Sequence, residues 1–451
     1  MSPELVSIIA LVALFVVGTV LPINMGALGF VAAWLVGMYS LGLSEREIIG
    51  GISGDLILTL VGVTYLFAIA RNNGTVDLIV RAAVRSVGGR VALIPWVMFG
   101  VTALLTAIGA ASPAACAIIG PIALGFAGRY RISPLMMGML VVHGAQAGGF
   151  SPISIYGVIT NSVMAENGLP VSPVVVFLAS FLFNLVIAVA LFLTLGGRSL
   201  WSRRLSRDEL DDDRGSEDDA PDDGTGTTTT GTRTPAGGVA TAEATGTTTT
   251  RRRLLDQVIT LVAFAIVAFV ALVFEKNIGF TAITAAVVLT ALFPKEQKGA
   301  IKQIAWPTVL LVAGVSTFAT ILNEAGAPEA VGTWAATLGT VLIGALVLCY
   351  VGGITSAFAS STALLPIIVP ISVPLIATGN VSAVAVVAAL AIASTIVDVS
   401  PFSTNGALMV ANRPDTITEE AYYGQVLRYS VLVTLVGPLV AWAALVVPGW
   451  I

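Results

Sequence analysis

Apolar residues run almost unbroken along most of this chain, and they come in long blocks rather than in the alternating pattern of strands. Blocks at about 4–23, 26–42, 55–71, 173–196, 255–274, 278–293, 306–323 and 424–447 reach or approach the roughly 20 residues a helix needs to cross a bilayer. A membrane β-barrel would instead show segments of about ten residues with alternating polarity. The pattern therefore predicts an all-α polytopic membrane protein. Two further stretches, about 91–128 and 340–378, are too long for one crossing. Two more, about 134–163 and 382–411, are interrupted by "GFSPISIYG" (Gly149 to Gly157) and "VSPFSTNG" (Val399 to Gly406). Proline removes a backbone donor and glycine lets the chain leave helical angles, so both stretches read as broken spans.

The interruptions repeat. Ser112 and Ser361, Pro121 and Pro370, Ser151-Pro152 and Ser400-Pro401, and Gly157 and Gly406 all stand 249 residues apart. Upstream, "VGVTYLFAIARNNG" resembles "AGVSTFATILNEAG" at an offset of 252. Residues 1–197 and 255–451 are thus expected to be two copies of one unit, each with spans, a hairpin, a broken span and a final span.

Composition agrees with the pattern. The 451 residues are 56% hydrophobic and 11% charged, against roughly 25% charge in soluble domains. Leu5–Val20 lacks a basic flank and a clear cleavage site, and is read as a retained span. Cys116 and Cys349 lie far apart in apolar segments, which suggests neither a disulfide nor a zinc site. Much of the acid is confined to residues 198–254, an acidic and then Thr/Gly-rich tract with too little apolar surface to fold. It is expected to be a disordered cytoplasmic linker.

Basic residues set the orientation. Arg71, Arg81, Arg85 and Arg90 precede the Ser112 segment and Arg129 and Arg131 follow it, so both its ends should face the cytoplasm. That makes it a re-entrant hairpin. No Lys or Arg lies between Lys302 and Arg413, so the hairpin at about 340–378 should enter from outside. The result is an inverted repeat of about ten transmembrane helices, two re-entrant hairpins and two broken helices, in the inner membrane, with both termini outside. "TVDLIVRAAVRSVGG", with Arg81 and Arg85 on one face, reads as an interfacial helix or as an extension of the preceding span.

Unpaired backbone groups cost several kcal/mol each in hydrocarbon, so non-helical chain at that depth marks a protein-lined polar cavity. Freed amides and half-helix N-termini suit an anion, and freed carbonyls suit a small cation. The side chains there are Ser112 at one tip and Ser360, Ser361 and Thr362 at the other. Ser151, Ser154 and Tyr156 lie in the first break, and Ser400, Ser403, Thr404 and Asn405 in the second. All but Tyr156 are candidate substrate ligands. Small polar residues that merely let helices pack are the competing reading. Asp398 is an intramembrane carboxylate able to carry a proton or help hold a cation, or to cap the break. Its counterpart is Gly149. His143, the single histidine, is either a packed imidazole or a proton-handling group, and Gly148 and Gly149 complete the set of candidate ion-coupling positions. A sodium ion would lie near Ser361, Thr362, Ser400 and Asn405. Asp55 and Asp256 sit at span ends and read as interfacial.

Hairpins with hydroxyl-rich tips, each followed by a Pro-interrupted span, resemble the divalent anion/sodium symporter family of the ion transporter superfamily. "VHGAQAGGFSPISIYGVI" is especially similar to dicarboxylate carriers of the MatC (malonate carrier) type. The resemblance implies a homodimer, with a scaffold domain and a transport domain that moves like an elevator. It also implies a Ser-Asn-Thr sequence at each tip; here the tips read Ser360-Ser361-Thr362 and Ala111-Ser112-Pro113, so proton coupling through Asp398 or His143 competes with sodium coupling. The expected function is secondary uptake of a small dicarboxylate, malonate or a four-carbon acid, driven by Na⁺ or H⁺ and needing no cofactor. Cation/proton antiport or transport of an inorganic oxyanion is the alternative, and a membrane-embedded enzyme a remote one. A lone histidine and no recognisable nucleophile/base pair argue against an enzyme. No nucleic-acid partner is expected.

Overall fold

A computed structural model describes residues 1–203 and 243–449, except positions 22, 87, 89, 275, 295, 296, 298, 338, 339, 359, 360, 379 and 380. The first half comprises α1 (Pro3–Val20), α2 (Met25–Ser40), α3 (Glu45–Gly50), α4 (Gly54–Asn72), α5 (Thr75–Ser86), α6 (Ile94–Ala107), α7 (Ser112–Arg129), α8 (Pro134–Gly148), α9 (Ile155–Glu166) and α10 (Pro173–Thr194). The second comprises α11 (Glu243–Val273), α12 (Ile278–Leu292), α13 (Trp306–Glu324), α14 (Ala327–Thr337), α15 (Val341–Phe358), α16 (Ser361–Thr378), α17 (Ala383–Ile396), α18 (Thr404–Ala411) and α19 (Glu419–Ala441).

The chain is a polytopic α-helical membrane protein. Seven helices among the described residues are long and apolar enough to cross a bilayer, and shorter apolar helices such as α2, α6, α12, α15 and α16 accompany them. The outer helices α1, α10, α11, α12 and α19 present rows of exposed Leu, Val, Ile and Phe, as helices facing lipid must. By contrast α8 and α17 are buried along nearly their whole length, so the helices that carry the breaks run through the middle of the protein.

Contacts between the halves come in exchanged pairs. A Cβ on Gly314 of α13 would lie 1.8 Å from the Gly26 carbonyl oxygen of α2, and one on Gly62 of α4 would lie 2.7 Å from that of Gly279 of α12. These glycines let the backbones touch, where any side chain would push the helices apart. Asn24 caps α2 and donates to Pro307 O at 3.1 Å, while Asn277 caps α12 and donates to the Asp55 carboxylate. Gln146 Nε2 of α8 donates to Thr395 O of α17 at 2.9 Å, and these two residues are themselves 249 apart.

One expectation needs correction. Residues 198–254 are not disordered throughout: Gly197–Leu200 forms a 3₁₀ turn, and the helix of the first second-half span begins at Glu243. Extending an existing helix costs far less than nucleating one, so the apolar span carries the weak helix-forming threonines before it. Residues 204–242 of that tract lie outside the described residues. Asp256 is buried at the start of the second-half span, because α11 is held against the end of α4. There Asn73 Nδ2 donates to Thr260 Oγ1, and Gln257 Nε2 to Asn73 O and Gly74 O.

Candidate functional site

Each broken span is built on one hydrogen-bond plan. After α8, Ser151 N donates to Gly148 O at 3.0 Å and Ser154 N to Ser151 O at 2.9 Å. The Ser154 hydroxyl is shared between Ser151 O and Gly149 O, and its oxygen accepts from Gly157 N to cap α9. After α17, Ser400 N donates to Val397 O at 3.0 Å and Ser403 N to Ser400 O at 2.9 Å. The Ser403 hydroxyl is shared between Ser400 O and Asp398 O, and its oxygen accepts from Gly406 N to cap α18. A Cβ on Gly157 would stand 2.0 Å from Ser151 O, and one on Gly406 2.0 Å from Ser400 O, so both positions require glycine. Ser154 and Ser403 thus satisfy backbone groups that the breaks expose.

At each hairpin tip, residues of one half meet a broken-span residue of the other. At the first tip, Ser112 opens α7 behind Ala111, which has no side chain able to cap the helix. Ser112 Oγ accepts a 2.9 Å bond from Asn405 Nδ2 of α18, in the other half. Asn405 is buried, and its Oδ1 has no hydrogen-bond partner. Ser151 Oγ ties the first break to the same hairpin by donating to Ala107 O at 2.8 Å. At the second tip, Ser361 Oγ donates to Asp398 Oδ1 at 2.8 Å, and Tyr156 Oη of α9 donates to Asp398 Oδ2 at 3.2 Å. With Ser361 donating to the carboxylate, Ser356 Oγ at 2.7 Å donates to Ser361. Thr362 follows Ser361 in the first turn of α16. Each tip contact therefore includes a broken-span residue of the opposite half, Asn405 at the first and Tyr156 at the second, and these two are counterparts, 249 residues apart.

The predicted residues fall into three groups. Ser112, Ser361, Thr362, Asp398 and Asn405 converge on the two tip contacts. Ser151, Ser154, Ser400 and Ser403 hold the backbone of the breaks, and Thr404 opens α18 beside them. Gly148 and Gly149 are close-packing positions: a Cβ on Gly148 would lie 1.9 Å from Ala103 O of α6, and one on Gly149 2.8 Å from the Tyr156 ring. Ser360 lies outside the described residues. His143 belongs to a separate network, with Nδ1 bonded to Asn184 Oδ1 of α10 at 2.8 Å and Nε2 to Tyr429 Oη of α19 at 2.6 Å.

Several residues were missed by the sequence reading. Ser356 sits five residues before Ser361, near the end of the mostly apolar α15, and Asn184 is an isolated amide in a lipid-length span. A polar side chain inside a hydrocarbon-length run is a signal, yet it does not say which partner it meets.

Residues 1–149 match the family model for the dicarboxylate carrier protein MatC N-terminus, a stretch that ends as the first break begins. Over that stretch the resemblance to MatC-type carriers is borne out. Among solved structures the chain is similar to the YdaH transporter of Alcanivorax borkumensis, at 14% identity, over 88% of this chain and 86% of that one, with a TM-score of 0.51. At this identity the likeness is one of fold. No curated protein matches. The family match is to a carrier and the shared fold is that of a transporter, and neither points to an enzyme.

Proposed function

We propose that the chain is a secondary active transporter of a small dicarboxylate, malonate or a four-carbon acid, driven by a sodium or proton gradient through alternating access. The observation that carries this reading is the joining of residues from both halves at each tip contact. Ser112 with Asn405 and Ser361 with Asp398 and Tyr156 place hydroxyl, amide and carboxylate groups at buried helix starts. Helix N-termini favour anions, and an interrupted helix at membrane depth is tolerated where it lines a site. The match of residues 1–149 to the MatC family and the transporter fold support the same class.

In this reading the two halves are oppositely inserted copies, the hairpins are re-entrant, and the linker and most basic residues are cytoplasmic. Asp398 supplies the one charge at the tips, either beside a sodium ion near Ser361, Thr362, Ser400 and Asn405 or as part of a proton path. A homodimer with a moving transport domain completes the proposal.

In proteoliposomes of the purified protein, labelled malonate or succinate should accumulate only under an imposed sodium or proton gradient. Varying the two ions separately identifies the driving one. Flux that equilibrates the acid without ever concentrating it would show a channel instead. Ser361→Ala with Thr362→Ala should abolish uptake while the protein still folds.

A further inference from the structure

The two tip contacts are the same frame with one part exchanged. In the second, the carboxylate of Asp398 is gripped by the hydroxyls of Ser361 and Tyr156. The counterparts of these donors, Ser112 and Asn405, bond each other in the first frame, and the counterpart of Asp398 is Gly149, which has no side chain to offer. The first frame also leaves a buried acceptor, Asn405 Oδ1, without a partner. Turning the Asn405 amide over would let Oδ1 accept the Ser112 hydroxyl and free Nδ2 to donate to a ligand. One frame therefore contains a carboxyl group of its own, and the other has none.

This asymmetry bears on the charge of the ligand, and it rests on the dicarboxylate reading above. A second ionised carboxylate brought to Ser361 and Tyr156 would have to displace Asp398 or lie against it. Asp398 is bonded by hydroxyls alone among the described residues, so no cationic side chain there offsets the repulsion. On the surrounding elements, Arg428, Glu419 and Glu420 of α19 are exposed. Tyr429 and His143 bond each other, Tyr422 donates to Pro134 O, Tyr350 of α15 donates to Leu435 O, and Cys349 of α15 and Cys116 of α7 are buried thiols. We infer that the ligand is held with one end ionised, at Ser112 and Asn405, and the other end as a hydrogen-bond donor to Asp398. For a dicarboxylic acid this is the half-protonated monoanion, whose own proton bonds the Asp398 carboxylate and crosses with it.

The test is competition against labelled succinate in counterflow across proteoliposomes of the full-length protein, at a pH where succinate is fully ionised. Succinamate carries one carboxylate and one carboxamide donor and so mimics the half-protonated acid. It should compete at a concentration about tenfold or more below that of unlabelled succinate, the scale of gaining a hydrogen bond to a charged group. Succinamide, with no carboxylate, should not compete. Asp398→Asn should bring the half-inhibiting concentrations of succinate and succinamate together. Succinate exchange that succinamate leaves untouched would overturn this inference alone, as would an Asp398→Asn protein that keeps the preference. Absence of exchange of any dicarboxylate by the wild-type chain removes the dicarboxylate reading and this inference with it. Should the variant fail to fold, the competition series on the wild-type protein still decides.

Discussion

The two broken spans share a backbone and differ in chemistry. In both, a serine hydroxyl is split between two carbonyls and caps the following half-helix, and a glycine rests on the carbonyl six residues before it. The side chains that reach outward are exchanged: Gly149 and Tyr156 in one break, Asp398 and Asn405 in the other. The shared parts are those that satisfy main chain away from water, a requirement that holds equally for both halves. The exchanged parts face the tips, where one ligand with two unlike ends would be served by unlike partners. Stability should therefore respond alike in the two halves, and transport should not.

The largest effect is expected where the plan leaves no room. Gly157→Ala and Gly406→Ala each put a methyl group 2.0 Å from a carbonyl oxygen fixed by the turn. Each should cost about 3 kcal/mol or more, as overpacking of a rigid site does. Thermal unfolding in detergent should show similar losses for the two; a large loss for one and none for the other would break the equivalence of the breaks. The tips come next and should divide the halves. Ser361→Ala takes one of two hydroxyl donors from a buried carboxylate, a loss of about 1.5–3 kcal/mol. Ser112→Ala removes a neutral acceptor from one amide N–H and should cost nearer 1 kcal/mol. The same melting experiment orders them, and equal losses would mean that Asp398 carries no charge that Ser361 stabilises.

Much of the fold is visible in the sequence because it rests on local chemistry. Pro152, Pro401, Gly157 and Gly406 announce the breaks by what they forbid, and the spacing of 249 residues that ties Ser112 to Ser361 is also the spacing at which the hydrogen bonds repeat. The site is less legible. That Asn405 meets Ser112, or that Tyr156 meets Asp398, depends on which of several polar clusters the fold brings face to face, and spacing within one copy says nothing of that. His143 is a similar case: its position inside a span is evident, but its engagement by Asn184 and Tyr429 on two other helices is not. The tract before α11 misled for another reason, since its composition is that of a linker while its last residues continue a helix nucleated downstream.

Smaller effects sharpen the comparison further. Ser154→Ala and Ser403→Ala each remove a helix cap, typically about 1 kcal/mol, and the pair should again agree within experimental error in melting temperature.

The smallest effect lies where the halves part company on the surface. Ser44 and Glu47 form a reciprocal cap at the start of α3, with Ser44 N and Oγ both donating to the Glu47 carboxylate at 2.7 Å. The Ala300–Gln303 turn, in the matching place before α13, has no side-chain cap. The Ser44 backbone N–H, and then its hydroxyl, hold the Glu47 carboxyl below its ordinary value of 4.5. A carboxyl lowered in the folded state contributes stability that is fully present above its unfolded value and is lost as pH falls through the lowered one. Glu47→Gln should therefore melt slightly below wild type at about pH 7, and the difference should shrink as pH falls through the lowered value, where both chains come to carry an uncharged group. Because Glu47 is exposed, solvent screens the interaction and the difference is expected to be the least of those named. A gap that persisted unchanged to low pH would mean that the carboxylate charge has no part in the cap, and that α3 and its counterpart differ only in local packing.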